Sequence, residues 1–153
     1  MGILVFLHVL GAMMFIGNIL TAAFWKLKAE RTGDISYIHR VTRNVMTADY
    51  WFTLPGIALI LLTGHILAIR AGYALTEWNW VSVSEGLFAL SGLIWLLVLL
   101  PAQKKMIRES GSSVEAGSLN ASYRKASRLW DGFGTVVTLI PLAVLYLMLN
   151  KPF

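Results

Sequence analysis

The chain contains no cysteine. That excludes disulfides, thiolate metal sites, iron–sulfur clusters and covalently attached c-type haem, so any metal or haem must be held by histidine, methionine or carboxylate. Charge is scarce as well: Asp, Glu, Lys and Arg make up 14% of the 153 residues while 57% are hydrophobic, a balance of the membrane class. The scarcity is uneven. Met1–Trp25, Tyr50–Ile69, Gly86–Gln103 and Gly132–Asn150 hold no Lys, Arg, Asp or Glu at all.

The first run also lacks a basic segment ahead of it and is too long for the apolar part of a cleaved signal, so it is expected to be retained. At about 1.5 Å per residue, runs of this length reach across a hydrocarbon core of about 30 Å. The expected fold is therefore all-α, a single integral membrane bundle of four transmembrane helices with spans at about 2–25, 50–70, 84–103 and 129–150. Between the spans, the residues from Lys26 to Asp49 read as a part-helical connection. Ala71–Ser84 reads as a short turn with Trp78 and Trp80 at the level of the headgroups, and Lys151 closes the chain at an interface. Arg108–Ser127, with its glycines and serines, reads as a flexible loop. Pro55 is tolerated or kinks the second span, and the third ends near Pro101. No match between the two halves supports an internal repeat.

The net charge of +5 does not point to nucleic acid, because the basic residues lie between the apolar runs and form no interleaved aromatic surface. Lys26, Lys28, Arg31, Arg40 and Arg43 sit in the first connection, and Lys104, Lys105, Arg108, Arg124, Lys125 and Arg128 in the third. Eleven of thirteen basic residues thus fall on one side, leaving Arg70 and Lys151 on the other. The positive-inside rule puts the long connections in the cytoplasm and both termini outside.

Two histidines lie inside the spans. On a helix, His8, Gly11, Ala12, Phe15, Asn18, Ile19 and Ala22 share one side, a stripe rich in small residues that must face protein. His8 lies seven residues from Met1 and His65 five before Arg70, so at roughly 1.5 Å per residue both sit level, roughly 7–10 Å inside the outer boundary. Glu85 opens the third span at the same face. Ionisable groups within a bundle are costly and point to function. Two facing imidazoles, His8 and His65, can clamp the iron of a b-type haem, with Gly11 and Ala12 making room for the porphyrin. The same two with Glu85 can hold a non-haem metal or form a proton relay. The plain alternative is a hydrogen bond from each histidine to a neighbouring helix. His39 reads as a solvated loop residue; Asp49, Arg43, Asp131 and Arg128 read as structural pairs near the inner boundary.

Four stretches, LHVLGAMMFIGN, TADYWFTLPGIALILLTG, SGLIWLLVLLPAQKKM and RLWDGFGTVVTLIPLAVLYLMLNKP, resemble the bacterial predicted integral membrane proteins that carry domain-of-unknown-function number 2269. The resemblance is specific at Asp49, Pro55, Gly64, Asp131 and Pro141, and it implies a four-helix membrane fold without implying an activity. A more distant similarity is to the HemJ-type protoporphyrinogen oxidases and the copper-resistance D group, whose first-helix pattern is echoed by His8, Phe15 and Gly17. The third span here has neither the histidine nor the lysine of the HemJ pattern, which argues against protoporphyrinogen oxidation.

Two functional expectations follow. One is a small inner-membrane protein binding haem b through His8 and His65 for electron transfer or quinone-linked redox chemistry. The other is a cofactor-free accessory or scaffold subunit docked on a larger membrane complex, and a visible spectrum separates them.

Overall fold

The computed structural model describes residues 2–74 and 76–152; Met1, Leu75 and Phe153 lie outside the described residues. Four long helices make up the chain: α1 (Gly2–Thr32), α2 (Ile35–Arg70), α3 (Trp80–Ala116) and α4 (Ala121–Asn150). Each is long and apolar enough to cross a membrane, and no strand occurs among the described residues.

The part-helical connection expected at 26–49 is helix but for residues 33–34, and the flexible loop expected at 108–127 is helix but for residues 117–120. At about 1.5 Å per residue, the 36 residues of α2 extend about 54 Å, well past a hydrocarbon core, so the helices carry on beyond the bilayer. The physical reason is legible in the buried face of the early part of α2, where Ile38, Val41, Thr42, Val45 and Met46 recur at helical spacing and are buried. In α3 the corresponding face is Ala102, Gln103, Met106, Ser110 and Ser113. Serine suits a linker in sequence, but here Ser110 donates to the Ile107 carbonyl and Ser113 to that of Glu109, satisfying both hydroxyls within the helix. Small side chains then let α2 approach.

Tight turns join the helices. Gly33 and Gly117, at φ 69° and 68°, adopt the left-handed conformation that ends α1 and α3. Asp34 and Asn120 then cap α2 and α4 by accepting from the Tyr37 and Tyr123 amides. Asn79 caps α3, accepting from the amides of Val81 and Ser82 while the Ser82 hydroxyl accepts from the Asn79 amide.

Neither Pro55 nor Pro101 ends its helix. A proline removes one amide donor and crowds the carbonyl four residues back. Both helices absorb this by widening for one turn into a π-helix, Asp49–Thr53 in α2 and Trp95–Leu99 in α3. Leu54 donates to the Asp49 carbonyl and Leu100 to that of Trp95, each immediately before the proline.

The bundle differs along its length. At the end carrying the basic connections, Ala22, Ala29, Ile38, Val41, Val45, Met106, Tyr123 and Ala126 form one core drawn from all four helices. At the other end, which carries both termini, the closest approaches are between α1 and α2 and between α3 and α4. Gly11 and Gly56 set the first of these: a Cβ on Gly56 would meet the Gly11 carbonyl at 3.0 Å and the Phe15 amide nitrogen at 3.1 Å. Phe15 reaches across to Phe88 of α3, edge to face at 5.4 Å, and above that contact the two pairs diverge around a cleft.

Candidate functional site

The cleft at the terminal end encloses about 350 Å³, within the usual range of about 300–1,000 Å³ for small-molecule sites. Val5, Ile60, Val81, Phe88 and Met148 make its walls largely apolar. His8, His65, Glu85 and Trp80 supply polar groups, with Lys151 at the rim. The structure thus brings His8, His65 and Glu85 to one cavity.

It orients them differently, however. His8 Nδ1 lies 3.1 Å from Thr63 Oγ1, and the Thr63 hydroxyl donates its one proton to the Leu59 carbonyl. With that proton committed, His8 Nδ1 is the donor in the His8–Thr63 bond, and the ring also hydrogen-bonds the Ile60 backbone. Gly64 makes this seat: a Cβ there would meet His8 Cε1 at 2.9 Å. His65, one residue on and half-exposed, turns toward α3, with Nδ1 3.6 Å from Glu85 Oε1. The Trp80 indole nitrogen is buried without a hydrogen-bond partner, its ring packed against Tyr73 and faced by the Lys151 ammonium.

The remaining expected site features are placed otherwise. Among the described residues no group of three or more His, Asp or Glu side chains is gathered to hold a metal ion, so Glu85 partners His65 alone rather than completing a three-ligand centre. Gly11 packs on the α2 backbone and Ala12 against the Phe15, Ile60 and Phe88 cluster; both serve the α1–α2 seam instead of opening space for a porphyrin. His39 is half-buried, with Nδ1 2.9 Å from Ser110 Oγ and its ring against Gly111, because the segment around it is helix and not a solvated loop.

The pairing expected among Asp49, Arg43, Asp131 and Arg128 is replaced by two networks. Asn18 Nδ2 and Thr53 Oγ1 both donate to Asp49 Oδ1, each at 2.9 Å. Lys26, only 2% exposed, donates to Asp131 and to Ser127 at 2.6 Å and pairs with Glu30 at 3.1 Å. Tyr123 and Ser127 add their hydroxyls to Glu30 Oε1. Burial, then the Glu30 carboxylate, pushes the Tyr123 phenol well above its ordinary pKa. In sequence Lys26 reads as a topology signal rather than a site residue; its spacing of four from Glu30 is the one clue to the pair.

Four helices long and apolar enough to span a bilayer, with a cleft at one end, define a polytopic helical membrane protein. The chain belongs to the family described as predicted integral membrane protein (DUF2269), whose profile matches residues 2–152. No curated protein and no solved structure matches it.

Proposed function

We propose that the cleft binds one b-type haem, with His8 and His65 as its axial ligands, in a bacterial inner-membrane protein whose termini face outward. The observation that carries this reading is the placement of the two rings: His8 Nδ1 lies 3.1 Å from Thr63 Oγ1, His65 Nδ1 faces Glu85 Oε1 at 3.6 Å, and both histidines line one apolar cavity. A second group on the far ring nitrogen is the usual means of fixing a ligating imidazole. The buried Trp80 indole N–H and the Lys151 ammonium supply donors for carboxylates at the cavity edge. A haem held this way serves one-electron transfer, including exchange with a membrane quinone.

The test is the visible spectrum of protein purified after expression with ample haem. A Soret band with a sharp reduced α-band is expected, and His8→Ala or His65→Ala should each abolish its low-spin character, with the double substitution adding little. Glu85→Gln should retain the haem with a shifted potential. A featureless wild-type spectrum would overturn the proposal and leave the cofactor-free subunit of a larger complex. A periplasm-active reporter fused at position 115 would overturn the orientation.

A further inference from the structure

A second cavity of about 390 Å³ lies nearer the basic end and is separate from the histidine cleft. Residues of all four helices line it, and both π-turns border it, the first through Asp49 and the second through Trp95. π-turns are costly and concentrate at functional sites. Two of them facing one cavity from antiparallel helices mark a place where backbone regularity has been given up twice.

Asp49 is 7% exposed, and the bonds from Asn18 and Thr53 both arrive at Oδ1. Oδ2 is the oxygen left over. Among the described residues no basic side chain forms an ion pair with Asp49, whereas Asp131 on the opposite wall is held by Lys26 at 2.6 Å. Gln103 is 2% exposed and lines the same cavity; its Nε2 interacts with the Asp49 carboxylate at less than ideal hydrogen-bond geometry and has no other acceptor. A carboxylate acceptor and an amide donor therefore stand side by side, weakly joined, in a cavity whose other polar lining is Asp131, Thr135 and Thr138. Leu27 of α1 and Leu139 of α4 border that space and are exposed on the bundle surface, so the cavity opens sideways toward lipid.

These groups discriminate among ligand classes. An anion would satisfy Gln103 and be repelled by Asp49; a cation would do the reverse and leave the amide N–H unpartnered. A carbonyl offers only acceptors. A hydroxyl donates and accepts at once.

We propose that this cavity binds the hydroxyl of a membrane-soluble phenol or quinol, which donates to Asp49 Oδ2 and accepts from Gln103 Nε2 while its ring lies against Trp95 and its tail leaves between α1 and α4. The site stands independently of haem. It also prefers the hydroxyl form of such a compound to the corresponding carbonyl form, since only the former meets both groups.

The experiment uses the full chain in lipid nanodiscs with decyl-substituted benzoquinol, kept reduced, and its oxidised quinone, titrated by quenching of tryptophan fluorescence. Wild type should bind saturably, with the quinol about tenfold tighter than the quinone, the worth of one charge-assisted hydrogen bond. Asp49→Asn turns the acceptor into a donor and should reverse that preference. Gln103→Leu should weaken both forms, and Ala23→Trp, which fills the cavity without touching the polar pair, should abolish both. His8→Ala and His65→Ala should change neither, which separates this site from the histidine cleft. Absence of saturable binding to wild type overturns the proposal. So does binding that survives Ala23→Trp and Gln103→Leu unchanged, a result that stands even where Asp49→Asn is unfolded.

Discussion

The two ends of the bundle are held together by different physics. At the basic end, a lysine, two carboxylates, a phenol and a serine hydroxyl are tied into one network inside a core shared by all four helices. At the terminal end, α1 and α2 meet backbone to backbone at Gly11 and Gly56, the polar contacts between helices include the His8–Thr63 bond and the His65–Glu85 pair, and a cleft lies between helix pairs. Outside the bilayer, burial of side chains drives helices together and polar networks fix their register. Inside it, lipid is as apolar as the helix faces, and close packing of small residues takes over. The open cleft is thus tolerated where lipid supplies no penalty for imperfect burial, while the basic end acts as the clamp.

Substitutions can break this contrast, beginning with the clamp. Lys26→Met should destabilise by about 3–5 kcal/mol, because Asp131 and Glu30 lose a buried cation and keep their charges. Thermal unfolding followed by circular dichroism measures it, and a loss under about 1 kcal/mol would mean that the network is solvated after all. Gly56→Leu should cost about 3 kcal/mol, the upper range for overpacking, since its Cβ meets the Gly11 and Phe15 backbones, which cannot rotate away. Chemical cross-linking between α1 and α2 should fall in that variant while contacts at the basic end persist.

Tyr123→Phe should cost about 1.5 kcal/mol by removing a hydrogen bond to a carboxylate that Lys26 and Ser127 still serve. The same phenol carries a pH dependence. Its folded pKa lies above that of an unfolded tyrosine, about 10, so the stabilisation is complete below that pH and is lost progressively as pH rises past it. An alkaline titration should show the loss in wild type and a shallower one in Tyr123→Phe. The smallest effect should come from Thr63→Val, about 0.6 kcal/mol, the average for hydrogen bonds between membrane helices. On the proposed haem reading, the same variant should disturb the low-spin spectrum far more than it disturbs stability, because that bond orients His8.

Some of this architecture could be read without coordinates and some could not, and particular residues show why. The runs free of charge set the number of helices, since no other structure satisfies backbone amides in hydrocarbon. The matched depth of His8 and His65 followed from counting residues, and both line one cleft. Their polar partners did not follow, because Thr63 meets His8 and Glu85 meets His65 from another helix. Gly11 illustrates the same limit: a small residue on an inward stripe signals proximity, but whether that space goes to a ligand or to a neighbouring backbone depends on Gly56, which is forty-five residues away.

By itself, then, the sequence determined an all-α membrane bundle, the approximate positions of its spans and the asymmetry of its basic residues, because hydropathy and charge are local and act residue by residue. Only the tertiary structure decided that α2 and α3 run on past the bilayer, that Pro55 and Pro101 are absorbed as π-turns, and that Lys26 is buried between Asp131 and Glu30. Each of these depends on whether a second helix is there to cover a face, accept a bond or neutralise a charge.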